Sequence, residues 1–242
     1  PRGMLQKGAL AGKSFKKSIY LAVLKISGLL NNVSWHATNT DEMADIIREF
    51  GKSSAIFIAG NIPKKPIEKH SLIQKDPGEL KLVYLSLITE KKNLLQLISV
   101  ITGLKEDISL DIYGPVKDEA YWKTCLKYIN ASAGKINYKG DVLPEKVQEV
   151  FAVYHTSVLL TKGENFGHAL YESLSAGRPV ITSYFTAWNN LKEKKAGWNV
   201  DISANNEIAD VFTEVYKMDQ PEYDQYCIGA YSLASEYYQS GY

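Results

Sequence analysis

Of the 242 residues only two are cysteine, Cys125 and Cys227, and they fall in separate predicted helices. Such a pair offers no Cys-x-x-Cys spacing and no disulfide framework, so a reducing, cytoplasmic setting is the simplest reading. Charge of one sign is also lacking. Lys and Arg total 28 against 27 for Asp and Glu, a formal net charge of +1. No global basic field therefore calls for a nucleic acid partner. No apolar run approaches the ~18 residues of a membrane span, and no secretory leader is visible. Internal repeats and low-complexity tracts are missing too. What is present is an ordinary globular composition, 45% hydrophobic and 23% charged, enough for one large domain or a domain and part of another. The chain opens at Pro1 in mid-pattern, which is the expectation for the latter part of something longer.

From about Leu82 the pattern alternates strand and helix. Strands are expected at 82–87, 108–114, 136–140, 155–161, 178–183 and 198–202. Helices are expected at 92–102, 117–130, from near Pro144, at 166–176, 187–195, near 205–217 and at 222–238. This alternation implies βαβ units: an α/β, Rossmann-like parallel sheet with helices on both faces. In such sheets ligands bind beyond the carboxyl ends of the strands.

Residues 1–62 behave differently. Phe15, Ile19, Ala22, Val23, Ile26 and Leu30 recur at helical spacing. VSWHA (33–37) and AIFIAG (55–60) read as strands. Between them a helix runs to Phe50, capped by Asn39 or Thr40, with Asp41 and Glu42 favourable in its first turn. Two apolar strands and two helices leave sheet edges and faces uncovered. The segment is thus expected to be the end of a preceding α/β lobe. Residues 63–79, with prolines, lysines and no clear period, read as a linker, and 80–242 as a lobe of its own.

One stretch combines geometry and chemistry: TKGENFGHALYE, Thr161 to Glu172. A strand ends, a glycine-containing turn follows, and a helix opens around Phe166, Gly167 and His168. The start of a helix presents free N–H groups and about half a positive charge to an anion. Gly167 permits close approach of a ligand to the backbone. Glu164 and Glu172 stand eight residues apart, about 12 Å if all were helical. Paired carboxylates that flank one glycosidic bond sit at about 5–9.5 Å. These two are better placed to grip the ends of a longer ligand, since a carboxylate accepts hydrogen bonds from hydroxyls readily.

ENFGHALYE followed by SLSAGRPVITS resembles the Glu-x7-Glu signature of the retaining, GT-B-fold glycosyltransferases of group 1, family 4. PRGML, HATNTDEMADIIREFG, AGNIP, EKKN, LDIYGP and YKGDV resemble further blocks of that family, in the same order, closest to members that build bacterial surface polysaccharides. The resemblance implies a transferase that takes a sugar from a nucleotide diphosphate sugar and passes it to a glycan or lipid-linked acceptor. It implies roles by position. Glu164, the catalytic residue, would hold the donor sugar and its anomeric carbon. The segment Asn165, Phe166, Gly167, His168 and Ala169 would meet the diphosphate through its backbone, and Glu172 would bind the ribose. Lys92 matches the family's phosphate-binding lysine. Gly114 with Pro115, and Asp141, Val142 and Leu143, would flank the nucleobase. No bound metal or other cofactor is implied; lysine and helix N–H groups stabilise the leaving diphosphate instead. The resemblance identifies residues 80–242 as the donor lobe and 1–62 as the end of the acceptor lobe.

The sequence departs from the family at Leu87, where an arginine usually stands five residues before the lysine. Tyr184, Ala187 and Leu160 replace a frequent aspartate and two frequent prolines. These departures motivate an alternative, a non-catalytic nucleotide-sugar-binding or scaffolding relative; a GT-B-fold sugar epimerase is a further one. Blander readings compete elsewhere. His36 is more simply a packed or surface residue than a base. Lys7, Lys13, Lys16, Lys17 and Lys25 surround the first helix and most simply form a solvated face, with peripheral attachment to the inner face of a membrane as the alternative. Donor sugar, base, acceptor and oligomeric state are left open. The isolated chain is expected to bind nucleotide weakly and not to transfer sugar.

Overall fold

The structure is a computed structural model that describes residues 14–30, 33–38, 40–51, 55–61, 63–66 and 73–240. The chain divides into two compact units, Pro1–Ile62 and Pro63–Tyr242.

In the smaller unit α1 (Ser14–Ile26), β1 (Ser34–Ala37), α2 (Thr40–Phe50) and β2 (Ala55–Ile58) follow one another. β1 and β2 pair in parallel, Ser34 with Ala55 through Ala37 with Ile58. Ala37 and Ile46 form the buried centre, with Leu21, Trp35, Met43, Phe50 and Ile56 packed on it. Trp35 stacks on Phe50 at 4.5 Å between ring centroids. The Glu42 carboxylate accepts hydrogen bonds from the Thr38 N–H and hydroxyl, both 2.8 Å. That bond fixes how the chain enters α2. Lys25 pairs with Glu49 at 3.4 Å. His36 is exposed, with its ring nitrogen 2.8 Å from the Ala59 carbonyl, a surface residue. Lys7 and Lys13, the side chains of Phe15, Lys16 and Lys17, and Asn39 lie outside the described residues.

The larger unit holds a six-stranded, wholly parallel sheet. Its strands are β3 (Leu80–Leu85), β4 (Ile108–Tyr113), β5 (Ile136–Gly140), β6 (Thr156–Leu159), β7 (Val180–Ser183) and β8 (Gly197–Val200). Their spatial order is β5-β4-β3-β6-β7-β8. The chain starts in the middle, winds outward to β5, returns to lay β6 beside β3, and winds out the other way. The helices are α3 (Leu94–Gly103), α4 (Glu119–Asn130), α5 (Val147–Ala152), α6 (His168–Ser175), α7 (Asn205–Lys217) and α8 (Gln220–Ser240). β6 and β7 are buried at every residue, as expected of parallel strands covered on both faces. In β4 only Ile108, Leu110 and Ile112 are buried, and the edge strand β5 buries Ile136 alone. The Asp118 carboxylate caps α4 by accepting the Tyr121 N–H at 3.0 Å. No described helix is long and apolar enough to cross a membrane.

Three expected elements differ. The region 187–195 is a looped turn, not a helix. Trp188 and Leu191 are buried individually, and Asn190 and Lys195 take left-handed φ of 57° and 47°. The Asn199 side chain holds the turn by donating to Trp188 O at 2.7 Å and accepting from Leu191 N at 3.2 Å. The expected helix at 92–102 is split. A single 3-10 turn, Glu90–Lys92, ends at left-handed Asn93 before α3 begins. The helix expected from Pro144 starts only at Val147.

Residues 63–79 read from composition as a linker, yet the described ones belong to the larger unit. Lys75 is fully buried, its ammonium donating to the carbonyls of Asp76, Tyr216 and Met218 at 2.9–3.2 Å. The last two lie at the C-terminal end of α7, where a cation is favoured. The ring of buried His155 accepts the Lys81 N–H at Nδ1 (3.0 Å) and donates from Nε2 to Gln74 O (3.0 Å). Buried polar groups with local partners bind this stretch to the sheet; its hydrophilic composition conceals them.

Candidate functional site

The reversal of winding lies between β3 and β6, so their carboxyl ends diverge and leave a crevice. Beyond β3 the chain runs through Ser86, Leu87 and Ile88 beside the turn after β4. Ser86 N donates to Tyr113 O, Ile88 N to Pro115 O, and Lys117 N to Ile88 O. Gly114 fits this approach because it has no side chain. Its φ is +130°, and a Cβ there would lie 2.0 Å from Ser86 O. Gly114 N donates to Gly140 O, and the Tyr138 hydroxyl to Gly114 O at 3.0 Å.

The 3-10 turn is tied across the crevice to the loop after β6. Lys91 O accepts from Lys162 N at 2.8 Å and from the Thr161 hydroxyl at 3.3 Å. The Ser183 hydroxyl donates to Thr161 O at 2.6 Å, and Glu164 N to Phe185 O at 2.8 Å. These bonds bring Lys92 and Glu164, from opposite sides of the reversal, into a salt bridge. Their side chains are 16% and 13% exposed. Burial pulls the Lys92 ammonium down to about 8, with repulsion from Lys91 adding to it. The Glu164 carboxylate at its tip favours the charged form.

Gly167, at φ +79°, immediately precedes α6. Gly167 has no side chain to cap that end, and the backbone N–H groups of a first helical turn have no partners within the helix. Phe166, Tyr171, Trp188 and Tyr237 pack ring to ring beneath it at centroid distances of 5.2–6.0 Å. Trp188 Nε1 donates to Phe166 O at 2.7 Å. This cluster sets the direction of the helix start.

A cleft of about 440 Å³ results, within the roughly 300–1,000 Å³ of small-molecule sites. Of the residues expected from sequence, Lys92, Gly114, Val142, Glu164, Gly167, His168, Ala169 and Glu172 line it, as do Pro115 and Asp141. Three do not. Phe166 is a core aromatic, 5% exposed. Leu143 is 63% exposed outside the lining. Asn165 is also off the wall. The two glutamates share the cleft, but the helical spacing assumed between them does not hold. The helix begins at His168, so Glu164 to Gly167 form a loop. Burial raises the Glu172 carboxyl above its ordinary range, and Lys64 acts against that shift. His168 is exposed, its ring edge-on to Phe166 at 4.9 Å.

Sequence reading missed the apolar part of the wall, Leu85, Pro144, Val147 and Leu159. Each looks like an ordinary core or turn residue, and only the topology reveals that it faces a cavity. Leu87 also lines the cleft, half-exposed, and adds an aliphatic side chain to the wall that Lys92 shares.

Residues 65–230 match the sequence model described as glycosyl transferases group 1. No curated protein gives a significant match. Among solved structures, the chain is similar to a variant of S. aureus TarM in complex with fondaparinux, alpha-GlcNAc-glycerol and UDP. The TM-score is 0.73 and the identity 18%, over 88% of this chain and 43% of that one. It is similar to Anabaena Alr3699/HepE in complex with UDP-glucose, at TM-score 0.72 and 14% identity, over 90% and 63%. Sucrose-phosphate synthase from Thermosynechococcus elongatus gives TM-score 0.75 and 15% identity, over 98% and 61%. At these identities the likeness is one of fold, and the chain spans 43–63% of the length of these three structures.

Proposed function

The chain belongs to the glycosyl transferases group 1 family, and from that premise we propose that it binds the nucleotide diphosphate sugar for a retaining transfer to a glycan or lipid-linked acceptor. The pathway we infer is polysaccharide assembly at the cytoplasmic face of a membrane. The observation that carries the reading is the placement of Lys92 against Glu164 across the β3/β6 reversal, beside the start of α6.

Each part has a chemical task. In the transfer an acceptor oxygen forms a bond to the anomeric carbon while the bond from that carbon to the diphosphate oxygen breaks. The acceptor proton leaves with the departing phosphate oxygen or with solvent. Negative charge grows on the diphosphate. Lys92 and the N–H groups at Gly167, His168 and Ala169 are placed to stabilise it, so the reading needs no resident metal. Glu164 accepts hydrogen bonds from donor-sugar hydroxyls once the diphosphate draws Lys92 away. Glu172, farther along α6, accepts from the ribose. The turn at Gly114 and Pro115 and the Asp141–Val142 loop supply flat walls for the base. UDP in the TarM complex and UDP-glucose in the HepE complex support a nucleotide sugar as ligand.

Leu87 favours one second reading, a relative that binds a nucleotide sugar without transferring it. Calorimetry of the full-length protein with UDP, GDP, ADP and their glucose conjugates decides the first point. Binding of one nucleotide at one site is expected, and no binding at millimolar ligand would contradict the donor reading. Product analysis after incubation with the binding donor and lipid-linked acceptors decides the second. A product whose anomeric configuration is inverted would contradict retention.

A further inference from the structure

The charges lining the cleft do not balance. Among its described lining residues, Glu164, Glu172 and Asp141 are carboxylates, and Lys92 is the sole lysine or arginine. Lys92 already faces Glu164. Leu87 offers no charge. The Glu172 and Asp141 carboxylates therefore find no further lysine or arginine among the described lining residues. A donor carrying a diphosphate adds further negative charge.

A cation reaches the cleft wall from outside the lining. Lys64 extends its ammonium to the Pro144 carbonyl at 3.5 Å, and Pro144 is part of the wall. Its backbone is held at the same place, because the buried Tyr171 hydroxyl donates to Lys64 O at 2.9 Å. Tyr171 directly precedes Glu172 on α6. The helix that carries the carboxylate thus also anchors the backbone of the lysine. Pro63 and Pro66 flank Lys64 and restrict the chain on either side, and Pro66 is buried. Desolvation disfavours the charged form of Glu172, and Lys64 opposes it. The other charged or titratable groups around the same cleft are Lys92 and Glu164 beyond β3 and β6, Asp141 beyond β5, and His168 one turn earlier on α6.

We propose that Lys64 is a positioning residue of this site: its ammonium at the cleft rim is the counter-charge that holds the Glu172 carboxylate ready for the ribose hydroxyls. The proposal rests on the donor reading above and adds a residue to it. The requirement is electrostatic and calls for a cation of lysine length. Arginine satisfies it and methionine does not.

The test is calorimetry on the full chain, with whichever of UDP, GDP and ADP binds tightest to the unsubstituted protein. Lys64→Met is expected to weaken binding roughly tenfold at pH 6. The loss should shrink as the pH is raised, because a higher pH favours the charged carboxylate that Lys64 supports. Lys64→Arg should stay within about twofold of the original. In a Glu172→Gln background Lys64→Met should add nothing, because the group it acts through is gone. Since Lys64 is exposed, matching melting curves establish that the variants fold. Unchanged binding by Lys64→Met at pH 6 would overturn the proposal, and so would an equal loss in the Glu172→Gln background. If the unsubstituted chain binds none of the three nucleotides, the donor reading fails, and this inference with it.

Discussion

The two units solve the burial of a parallel sheet differently. In Pro63–Tyr242 the central strands β6 and β7 are buried along their whole length, and helices cover both faces. Among the described residues of Pro1–Ile62 the buried apolar centre is Ala37 of β1 and Ile46 of α2. Phe57 and Ile58 of β2 remain 64% and 49% exposed, and Ile19, Val23 and Ile26 of α1 at least half exposed. The candidate chemistry sits on the first kind of scaffold. A carboxylate and an ammonium held face to face need supports that do not shift. Those supports are the hydrogen bonds that Lys162 N and the Thr161 hydroxyl donate to Lys91 O, the Ser183 hydroxyl to Thr161 O, and Glu164 N to Phe185 O. The described residues of the smaller unit form a smaller buried cluster, and it is expected to open more readily.

The sharpest way to break this comparison is at Gly114. Its φ of +130° and the 2.0 Å approach of a Cβ to Ser86 O predict that Gly114→Ala costs at least ~3 kcal/mol. The loss should be read as a lower melting temperature of the larger unit. Hydrogen exchange in residues 34–58 should stay unchanged.

Acid separates the units next. Burial holds His155 neutral and pulls its pKa from 6.5 down to about 4. The unfolded chain takes up a proton near 6.5 that the folded chain refuses until about 4. Stability is therefore full above 6.5 and falls as the pH drops toward 4. Completing that window removes about 3 kcal/mol from the larger unit. Urea titrations at pH 7 and pH 4.5 check this, and His155→Gln should flatten the difference. Among the described residues of the smaller unit no histidine is buried.

Lys92→Ala acts on ligand and fold together. It leaves the part-buried Glu164 carboxylate without its partner, which lowers stability, and it removes the proposed phosphate contact, an expected loss of about 2 kcal/mol in nucleotide affinity. In the unsubstituted protein the same contact should fade as the pH rises through about 8, where the Lys92 ammonium gives up its proton. The smallest effect belongs to the other unit. Phe57→Ser, at a site 64% exposed, should change stability by less than ~0.5 kcal/mol and nucleotide affinity not at all. A clear fall in affinity would show that the units are coupled.

Much of this was legible in the sequence because parallel strands buried on both faces are nearly unbroken apolar runs. The runs at 82–87 and 155–161 locate β3 and β6 to within two residues at each end, and INYKG gives β5 to the residue. The motif that holds Glu164, Gly167 and Glu172 led to three residues that line the cleft, although the helical spacing assumed between the glutamates does not hold. Where local pattern and tertiary context disagree, the pattern misleads. Residues 187–195 have helical spacing, yet Asn199 and the left-handed Asn190 make them a turn. Phe166 lies inside the motif and still turns its ring into the core. Lys75 and Lys64 look like solvated linker lysines. One is buried among carbonyls and the other reaches the cleft, and only long-range contacts reveal either.

The central claim is that Glu164 and Glu172 grip opposite ends of one nucleotide sugar. Calorimetry of Glu164→Gln against a matched pair, the nucleotide diphosphate and its sugar conjugate, tests it most directly. The conjugate should lose roughly tenfold in affinity while the bare diphosphate binds as well as before. Equal loss for both ligands, or loss for neither, would contradict the assignment of Glu164 to the sugar end.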